Sequence, residues 1–112
     1  MSDIIEKPWG CEKLWALTDR YAGKIISIKK GCKLSWQYHQ YKDEAIYVLE
    51  GPLVLVYGDD MKETTLGVGS SFHIPTGMKH RFWAKDHECT VVEVSSPELS
   101  DVVRISDEYN RV

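Results

Sequence analysis

The sequence lacks the features of a membrane, secreted or nucleic-acid-binding protein. No run approaches the roughly 20 apolar residues that a membrane-spanning helix needs. The first residues are polar and acidic and contain no apolar core of a secretory signal. Lys and Arg total 14 against 17 Asp and Glu, so no basic excess favours nucleic acid or an acidic membrane surface. We therefore expect a cytoplasmic protein without nucleic-acid or membrane partners.

Cysteine is scarce, and its spacing is not that of a disulfide framework. The 3 cysteines, Cys11, Cys32 and Cys89, are an odd number and include no C-x-x-C pair. This favours separate thiols in a reducing compartment.

Helical periodicity is also lacking, because no window repeats apolar residues at a 3.6-residue period over three or more turns.

Short β-rich runs separated by turn residues make up most of the chain. Such runs favour a sandwich or a barrel, and a length of 112 residues suits one domain with a modest core. We expect residues 1–112 to form a single all-β domain, a small barrel or jelly roll. We also expect a hairpin between 45–49 and 53–57. The runs are 25–29, 34–39, 45–49, 53–57, 72–74, 80–84 and 89–94.

Two segments carry side chains at metal-ligand spacing. Gln37 and His39 are two residues apart, so on a strand they point to the same face. Glu44 follows a short turn, and a hairpin can return it to a position beside His39. His80 follows the Pro-Thr-Gly turn at 75–77. Four ligands from three strands converge only inside a closed sheet, which agrees with the expected barrel.

The chemistry of these four side chains suits a divalent metal of intermediate hardness. Two imidazoles, one carboxylate and one amide oxygen fit Zn, Fe(II), Mn, Co or Ni. Glu44 supplies the only negative charge, so the loaded site would stay positive and favour an anionic or carbonyl-bearing substrate. Coordination positions left open by the protein would allow Lewis-acid chemistry. For the other histidines, His73 and His87, we expect hydrogen-bonded structural roles.

The two segments resemble the cupin motifs. Residues 31–51 fit G-x5-H-x-H-x4-E-x6-G with Gln37 in the first histidine position, and 69–84 fit G-x5-P-x-G-x2-H-x3-N with Ala84 in the last position. The resemblance implies a small single-domain cupin, a jelly-roll β-barrel. It also implies a metal bound by four side chains, with zinc expected first. These ligands are Gln37, His39, Glu44 and His80.

Three stretches narrow the resemblance. Residues 6–12 read E-K-P-W-G-C-E, 34–39 read L-S-W-Q-Y-H, and 101–111 read D-V-V-R-I-S-D-E-Y-N-R. They are similar to the cupin domain of type II mannose-6-phosphate isomerases, found at the C-terminus of mannose-1-phosphate guanylyltransferases. In that family glutamine is the usual residue at position 37. The chain departs at 42–46, K-D-E-A-I, where the family commonly has arginine before the glutamate and an aromatic residue after it.

The resemblance implies an aldose–ketose isomerase that interconverts mannose 6-phosphate and fructose 6-phosphate or a related pair. Such a reaction moves a proton between C1 and C2, needs a tuned base, and needs cations for the phosphate. We expect Arg104, in the C-terminal motif, and Lys24, which shares strand parity with Ile26, to contact the sugar phosphate. Weaker candidates for anion contacts are Lys33, Lys42 and Arg111. The base cannot be named from the sequence.

Two other functions remain open at this point. A small cupin dioxygenase would hold Fe(II), although that class prefers histidine at position 37. A non-catalytic sugar-binding or sensor module would keep the fold without turnover. By analogy with other small cupins, we also expect a homodimer.

Overall fold

The structure, a computed structural model, describes residues 3–111 as eleven β-strands, and within that range it has no helix. No helix long and apolar enough to cross a membrane occurs among the described residues. The strands, numbered in chain order, are β1 (Asp3–Lys7), β2 (Gly10–Leu17), β3 (Ala22–Ile28), β4 (Trp36–Tyr38), β5 (Glu44–Glu50), β6 (Leu53–Tyr57), β7 (Lys62–Leu66), β8 (Ser71–Ile74), β9 (His80–Trp83), β10 (Cys89–Ser95) and β11 (Val103–Ser106).

The strands form two antiparallel sheets. The six-stranded sheet has the order β1-β2-β3-β10-β5-β8, and the five-stranded sheet has the order β11-β4-β9-β6-β7. Alternate residues of both sheets point into one core, as the period of two requires. Ile26, Val48 and Val91 enter it from the first sheet, and Leu55 and Phe82 enter it from the second. The expected all-β barrel is therefore confirmed.

The expected hairpin between 45–49 and 53–57 is wrong. β5 pairs with β10 and β8 in the six-stranded sheet, whereas β6 pairs with β7 and β9 in the five-stranded sheet. Val48 and Leu53 are both fully buried in the shared core, so the chain crosses between sheets at Gly51–Pro52. Turn residues mark where a strand ends, but they do not say which sheet receives the next one.

Four strands were not expected from the sequence. β1 and β2 form a hairpin around Pro8–Trp9, β7 pairs with β6, and β11 adds to the edge of β4. The exposed pattern of β1 and β7 explains the omission, because neither strand alternates buried and exposed side chains cleanly. β11 matters for the site, because it brings the C-terminal tail beside the predicted ligands.

A forked ion pair fastens the chain after β11. Arg111 Nε lies 2.8 Å from Asp107 Oδ2, and a second guanidinium nitrogen lies 2.9 Å from Oδ1. The Arg111 backbone N–H also donates to Asp107 at 3.0 Å. The hydrogen bonds from Arg111 lower the pKa of Asp107 to about 2, against the opposing effect of burial. The tail conformation thus depends on an ionised Asp107.

We expect Asp107→Asn to destabilise the protein by about 1 kcal/mol at neutral pH, an allowance for a partly solvated pair. A depressed folded-state pKa stabilises the fold above the ordinary value of 3.8 and loses that effect as pH falls through about 2. Urea unfolding of both proteins between pH 2 and 6 measures this. The difference should be constant above about pH 5 and vanish near pH 2. Asp86→Asn, on an exposed turn, is the matched control; a pH-independent difference for Asp107→Asn would contradict the assignment.

Candidate functional site

Three side chains with metal-ligating atoms converge inside the barrel. His39 follows β4, Glu44 opens β5 and His80 opens β9, and all three are buried. Glu44 Oε1 lies 2.7 Å from His39 Nε2 and 3.7 Å from His80 Nε2. The prediction that a hairpin returns Glu44 to a position beside His39 is wrong. β4 and β5 belong to different sheets, so the two residues meet across the interior.

Backbone carbonyls fix the orientation of both imidazoles. His39 Nδ1 lies 2.6 Å from the carbonyl of Asp101, and His80 Nδ1 lies 2.9 Å from the carbonyl of Met78. A carbonyl oxygen only accepts, so each Nδ1 carries the hydrogen and donates it. Each Nε2 therefore presents a lone pair toward Glu44. Histidines that bind metals are held in this way.

The cluster has the charge and the unfilled bonding capacity of a cation site. No donor among residues 3–111 satisfies His39 Nε2, His80 Nε2 or either oxygen of Glu44. Burial alone would raise the pKa of Glu44, but a hydrogen carried on His39 Nε2 when no cation is bound there and the Lys42 ammonium favour its ionised form, and the net pKa is lowered. Burial lowers the pKa of His80, which favours the neutral imidazole. Three acceptors within 4.8 Å of one another suit a divalent metal.

Gln37 lies beside this cluster. Its strand, β4, pairs with β9 so that Gln37 is directly opposite His80, and Gln37 lines the same cavity. Ser35 Oγ donates to Gln37 Oε1 at 2.6 Å, which orients the amide. The structure thus brings the ligating atoms of His39, Glu44 and His80 together and places Gln37 beside them, and the role of all four as ligands stays a prediction.

A cavity of about 300 Å³ opens next to the four residues. That volume lies at the small end of the range for ligand pockets. Both sheets and the 99–102 segment between β10 and β11 contribute to its wall. The charged side chains around it are Lys7, Glu12, Lys24, Lys42, Glu44, Glu93, Arg104 and Arg111.

Lys24 and Arg104, the two residues expected to contact the substrate, both line the cavity but differ in their hydrogen-bond partners. Lys24 points inward, as its parity predicted, but its Nζ lies 3.2 Å from Glu12 Oε2. Arg104 lies opposite Gln37 on β11, and its Nε is buried with no hydrogen-bond partner among the described residues. Arg104 is therefore the cation with donor capacity to spare for an anion.

Two carboxylates on the cavity wall were missed in the sequence analysis. Glu12 faces Lys24, and Glu93 lies 3.3 Å from Lys42 Nζ. Burial and the charge of Glu44 raise the pKa of Glu93 to about 8, against the attraction of Lys42. A sequence signal for Glu93 existed: it shares parity with Val91, so it is a carboxylate on the inward face of an apolar strand.

The three weaker candidates for anion contacts lie in different surroundings. Lys42 is buried, and its Nζ lies 3.3 Å from Glu93 Oε2, so a neighbouring side chain already occupies it. Arg111 lines the cavity with its guanidinium forked onto Asp107. Lys33 lies 5.0 Å from the ring centre of Trp83 and is not part of the cavity wall.

The remaining histidines lie away from the cluster. His73 is exposed and its Nε2 lies 2.7 Å from Asp43 Oδ1, and His87 is exposed on the turn before β10. Neither joins the group of ligating atoms, which is consistent with the expectation that these two histidines are not ligands.

Two backbone devices hold His39 in place. Gly77 adopts φ 85°, a conformation that side-chain-bearing residues rarely adopt, and its N–H donates to the carbonyl of His39 at 2.8 Å. On the other side, the Asp101 carboxylate accepts the N–H groups of Gln40, Tyr41 and Lys42 at 3.1, 2.7 and 2.9 Å. These bonds tie the loop after His39 to the segment that leads into β11.

If the cluster binds a divalent metal as predicted, Asp101→Ala should weaken that binding, measured with zinc, about 10- to 100-fold, the usual cost of removing an outer partner of a ligating histidine. Three N–H groups of the loop at 40–42 would lose the carboxylate that accepts their hydrogen bonds, and the carbonyl that fixes the His39 tautomer would shift. Competition with a chromophoric chelator measures the affinity. Asp59→Ala, on an exposed turn, is the control; unchanged affinity in Asp101→Ala would show that the carboxylate does not position His39.

The fold and the buried His-Glu-His cluster define a cupin. The chain matches the model of the family described as "Cupin domain" over residues 24–95, so it belongs to that family. Three structures with the same fold are KdgF from Halomonas sp. (20% identity, TM-score 0.78, covering 88% of this chain and 90% of that one), CapF from Staphylococcus aureus (17%, 0.82, 95% and 34%) and an RmlC-like cupin from Shewanella frigidimarina (18%, 0.76, 88% and 86%).

Sequence relatives agree with the resemblance seen in the motifs. The chain is 34% identical to the mannose-1-phosphate guanylyltransferase of Escherichia coli and 30% identical to the xanthan biosynthesis protein XanB of Xanthomonas campestris. Each match covers 96% of this chain and 23% of the relative. The chain therefore spans about a quarter of the length of these relatives.

Proposed function

We propose that the protein is a metal-dependent isomerase of a hexose phosphate, with mannose 6-phosphate and fructose 6-phosphate as the first pair to test. The observation that supports this most is the cavity itself. On one wall are unsatisfied ligand atoms of His39 and Glu44, with His80 next to them, and on another is the buried Nε of Arg104, which has no partner among residues 3–111. Such a cavity suits a small substrate with a carbonyl at one end and an anion at the other.

The ligand set supports a divalent ion, and zinc is the ion we expect first, with Fe, Mn, Co or Ni as alternatives. Gln37, His39, Glu44 and His80 would hold it. When bound, it would polarise a substrate carbonyl as a Lewis acid. Every other part of the reaction falls to side chains of the chain itself.

Arg104 is the proposed phosphate anchor. A guanidinium offers several donors in a fixed plane, which suits a phosphate. Because Lys24 already pairs with Glu12, we assign it a second place in anion binding. Arg111 adds positive charge from the same wall while Asp107 keeps its guanidinium in position.

Glu12 is the proposed proton carrier. Isomerisation removes the proton from C2 of the aldose and delivers one to C1, while a hydroxyl proton passes between O2 and O1. A carboxylate on the cavity wall can take and return the carbon-bound proton. Glu12 lies against Lys24, which keeps it oriented, and it is not part of the group of ligating atoms. Glu93 is less suitable, because it is buried beside Glu44 and Lys42.

The relatives support the substrate class. Their names refer to a mannose phosphate in one case and to xanthan biosynthesis in the other. The match covers only part of those proteins, so the assignment to a hexose phosphate is our inference from the cavity and the shared motifs. A cytoplasmic location accords with a phosphorylated substrate.

The test is a coupled assay of mannose 6-phosphate conversion with Zn, Mn or Co added, using wild type and two variants. We expect turnover by wild type, a fall in kcat of about 100-fold or more in Glu12→Gln, the usual size of one acid–base group, and normal metal content. Glu63→Gln, on the exposed edge strand β7, should behave as wild type.

Two outcomes would redirect the proposal. Thermal stabilisation by mannose 6-phosphate without turnover would assign a sugar-binding module instead. Oxygen consumption in the presence of Fe(II), with no isomerisation, would assign a dioxygenase. Turnover that survives Glu12→Gln would keep the isomerase and remove Glu12 as the base.

A further inference from the structure

β1 is an edge strand with exposed apolar side chains. It is the outermost strand of the six-stranded sheet, and no strand of residues 3–111 pairs with its second edge. Ile4 is 64% exposed and Ile5 is 46% exposed. A strand edge with unpaired N–H and C=O groups is a ready template for another strand.

The hydrogen-bond pattern of β2 shows which backbone groups of β1 are occupied. The Lys29 N–H donates to the Trp9 carbonyl at 2.9 Å, on one side of the cross-strand pair Gly10–Ile28. A bond in that position means that Gly10 turns its own polar groups away from β3 and toward β1. Its partner there is Lys7.

The backbone N–H and C=O groups of successive residues in an antiparallel strand point to opposite edges. Lys7, Ile5 and Asp3 therefore bond to β2. Ile4 and Glu6 lie between them and turn their N–H and C=O groups to the open edge. The open edge of β1 therefore offers two N–H donors and two C=O acceptors in all, one of each from Ile4 and one of each from Glu6. These four groups require a partner strand or solvent.

We propose that a second copy of this chain pairs with this edge, β1 against β1, antiparallel about a two-fold axis at Ile5. The free groups of Ile4 then meet those of Glu6 of the partner subunit. Ile5 packs on the partner's Ile5 as a closely spaced pair. Asp3 lies opposite Lys7 of the partner subunit, and the two-fold axis repeats this ion pair.

The sequence D-I-I-E-K selects this register over its neighbours. An axis at Glu6 would oppose two carboxylates, and like charges opposite each other destabilise a strand pair. An axis at Ile4 would separate Asp3 from Lys7 of the partner subunit. Only the axis at Ile5 pairs opposite charges and apolar side chains together, and its bonding groups match those left free by β2.

The pairing also reaches the functional site. Lys7 lines the cavity, so the dimer places the partner's Asp3 carboxylate at the cavity rim. Both cavities receive the same contribution, because the interface is isologous. The net charge at the cavity rim would thus differ between the monomer and the dimer.

Sedimentation equilibrium of wild type and charge variants tests the register. Wild type should dimerise, and Ile5→Lys should weaken the dimer on the order of 100-fold by placing two ammonium groups on the axis. Lys7→Asp and Asp3→Lys should each weaken it about 10-fold. The double variant Asp3→Lys/Lys7→Asp should restore the wild-type constant. Lys13→Asp makes the same charge change on β2 and should have no effect.

Hydrogen exchange supplies a reading that needs no variant. With rising protein concentration, the amides of Ile4 and Glu6 should gain protection, whereas that of Ile5, already bonded to β2, should not change. A monomer at all concentrations would overturn the proposal. So would a dimer unaffected by Ile5→Lys, or a double charge variant no tighter than the singles.

Discussion

Metal and activity are lost together in His39→Ala: this is the largest effect that we expect. Removing one imidazole leaves Glu44 and His80 with an incomplete ligand set. The loss of a Lewis acid, which contributes several kcal/mol to the transition state, should lower kcat/KM on the order of 1,000-fold. Elemental analysis of the purified variant and the coupled mannose 6-phosphate assay measure the two quantities on one sample.

His87→Ala is the matched control for that experiment. It removes the same side chain from an exposed turn and should retain metal and activity. A far-ultraviolet circular dichroism spectrum separates loss of metal from loss of fold. If His39→Ala kept full metal content with an intact spectrum, the ligand assignment would be wrong. If it lost metal but kept turnover, the site would be structural.

Arg104→Met is expected to weaken binding of the phosphorylated sugar about 10- to 100-fold, since hydrogen bonds to charged groups contribute about 1.5–3 kcal/mol each. The buried Nε of Arg104 has no partner among the described residues, so an anion would complete its bonding. Calorimetric titration of metal-loaded protein with mannose 6-phosphate measures the change. Arg104→Lys keeps the charge but loses the planar fork, so its affinity for mannose 6-phosphate should lie between those of wild type and Arg104→Met.

The specificity of this effect is tested with the sugar. Mannose without phosphate should bind wild type and Arg104→Met equally weakly, because the lost contact is to the phosphate. Arg20→Met removes an exposed guanidinium and serves as the control variant. An equal loss for both sugars would mean that Arg104 supports the cavity wall rather than the anion.

Most of the fold was predictable from local patterns. Alternation placed Lys24 and Ile26 on the inward face, and turn residues located seven of the strands. The partner of each strand was not predictable, because nothing in the local sequence of β5 or β6 indicates that the two belong to different sheets. Assignment to a sheet is settled by contacts between residues distant in the chain, such as Val48 with the Gly69 turn.

The candidate site was predictable where spacing carries the information. Gln37, His39, Glu44 and His80 follow from two spaced motifs, and the structure brings the last three together with Gln37 beside them. Glu12 and Asp101 do not follow from spacing, because their meaning comes from neighbours on other strands. Glu12 acquires its neighbour Lys24 through the β2–β3 register, and Asp101 reaches the His39 loop only after the chain has crossed the barrel.

The hydrogen bonds between Asp101 and residues 39–42 determine the order in which the site can form. His39 depends on a carbonyl that lies 62 residues further along the chain. A chain emerging from the ribosome has all four predicted ligands once His80 is made, but the His39 tautomer is not fixed until Asp101 follows. Metal capture should therefore come late in synthesis, and a fragment that ends at Ser95 would carry every ligand and still bind metal poorly.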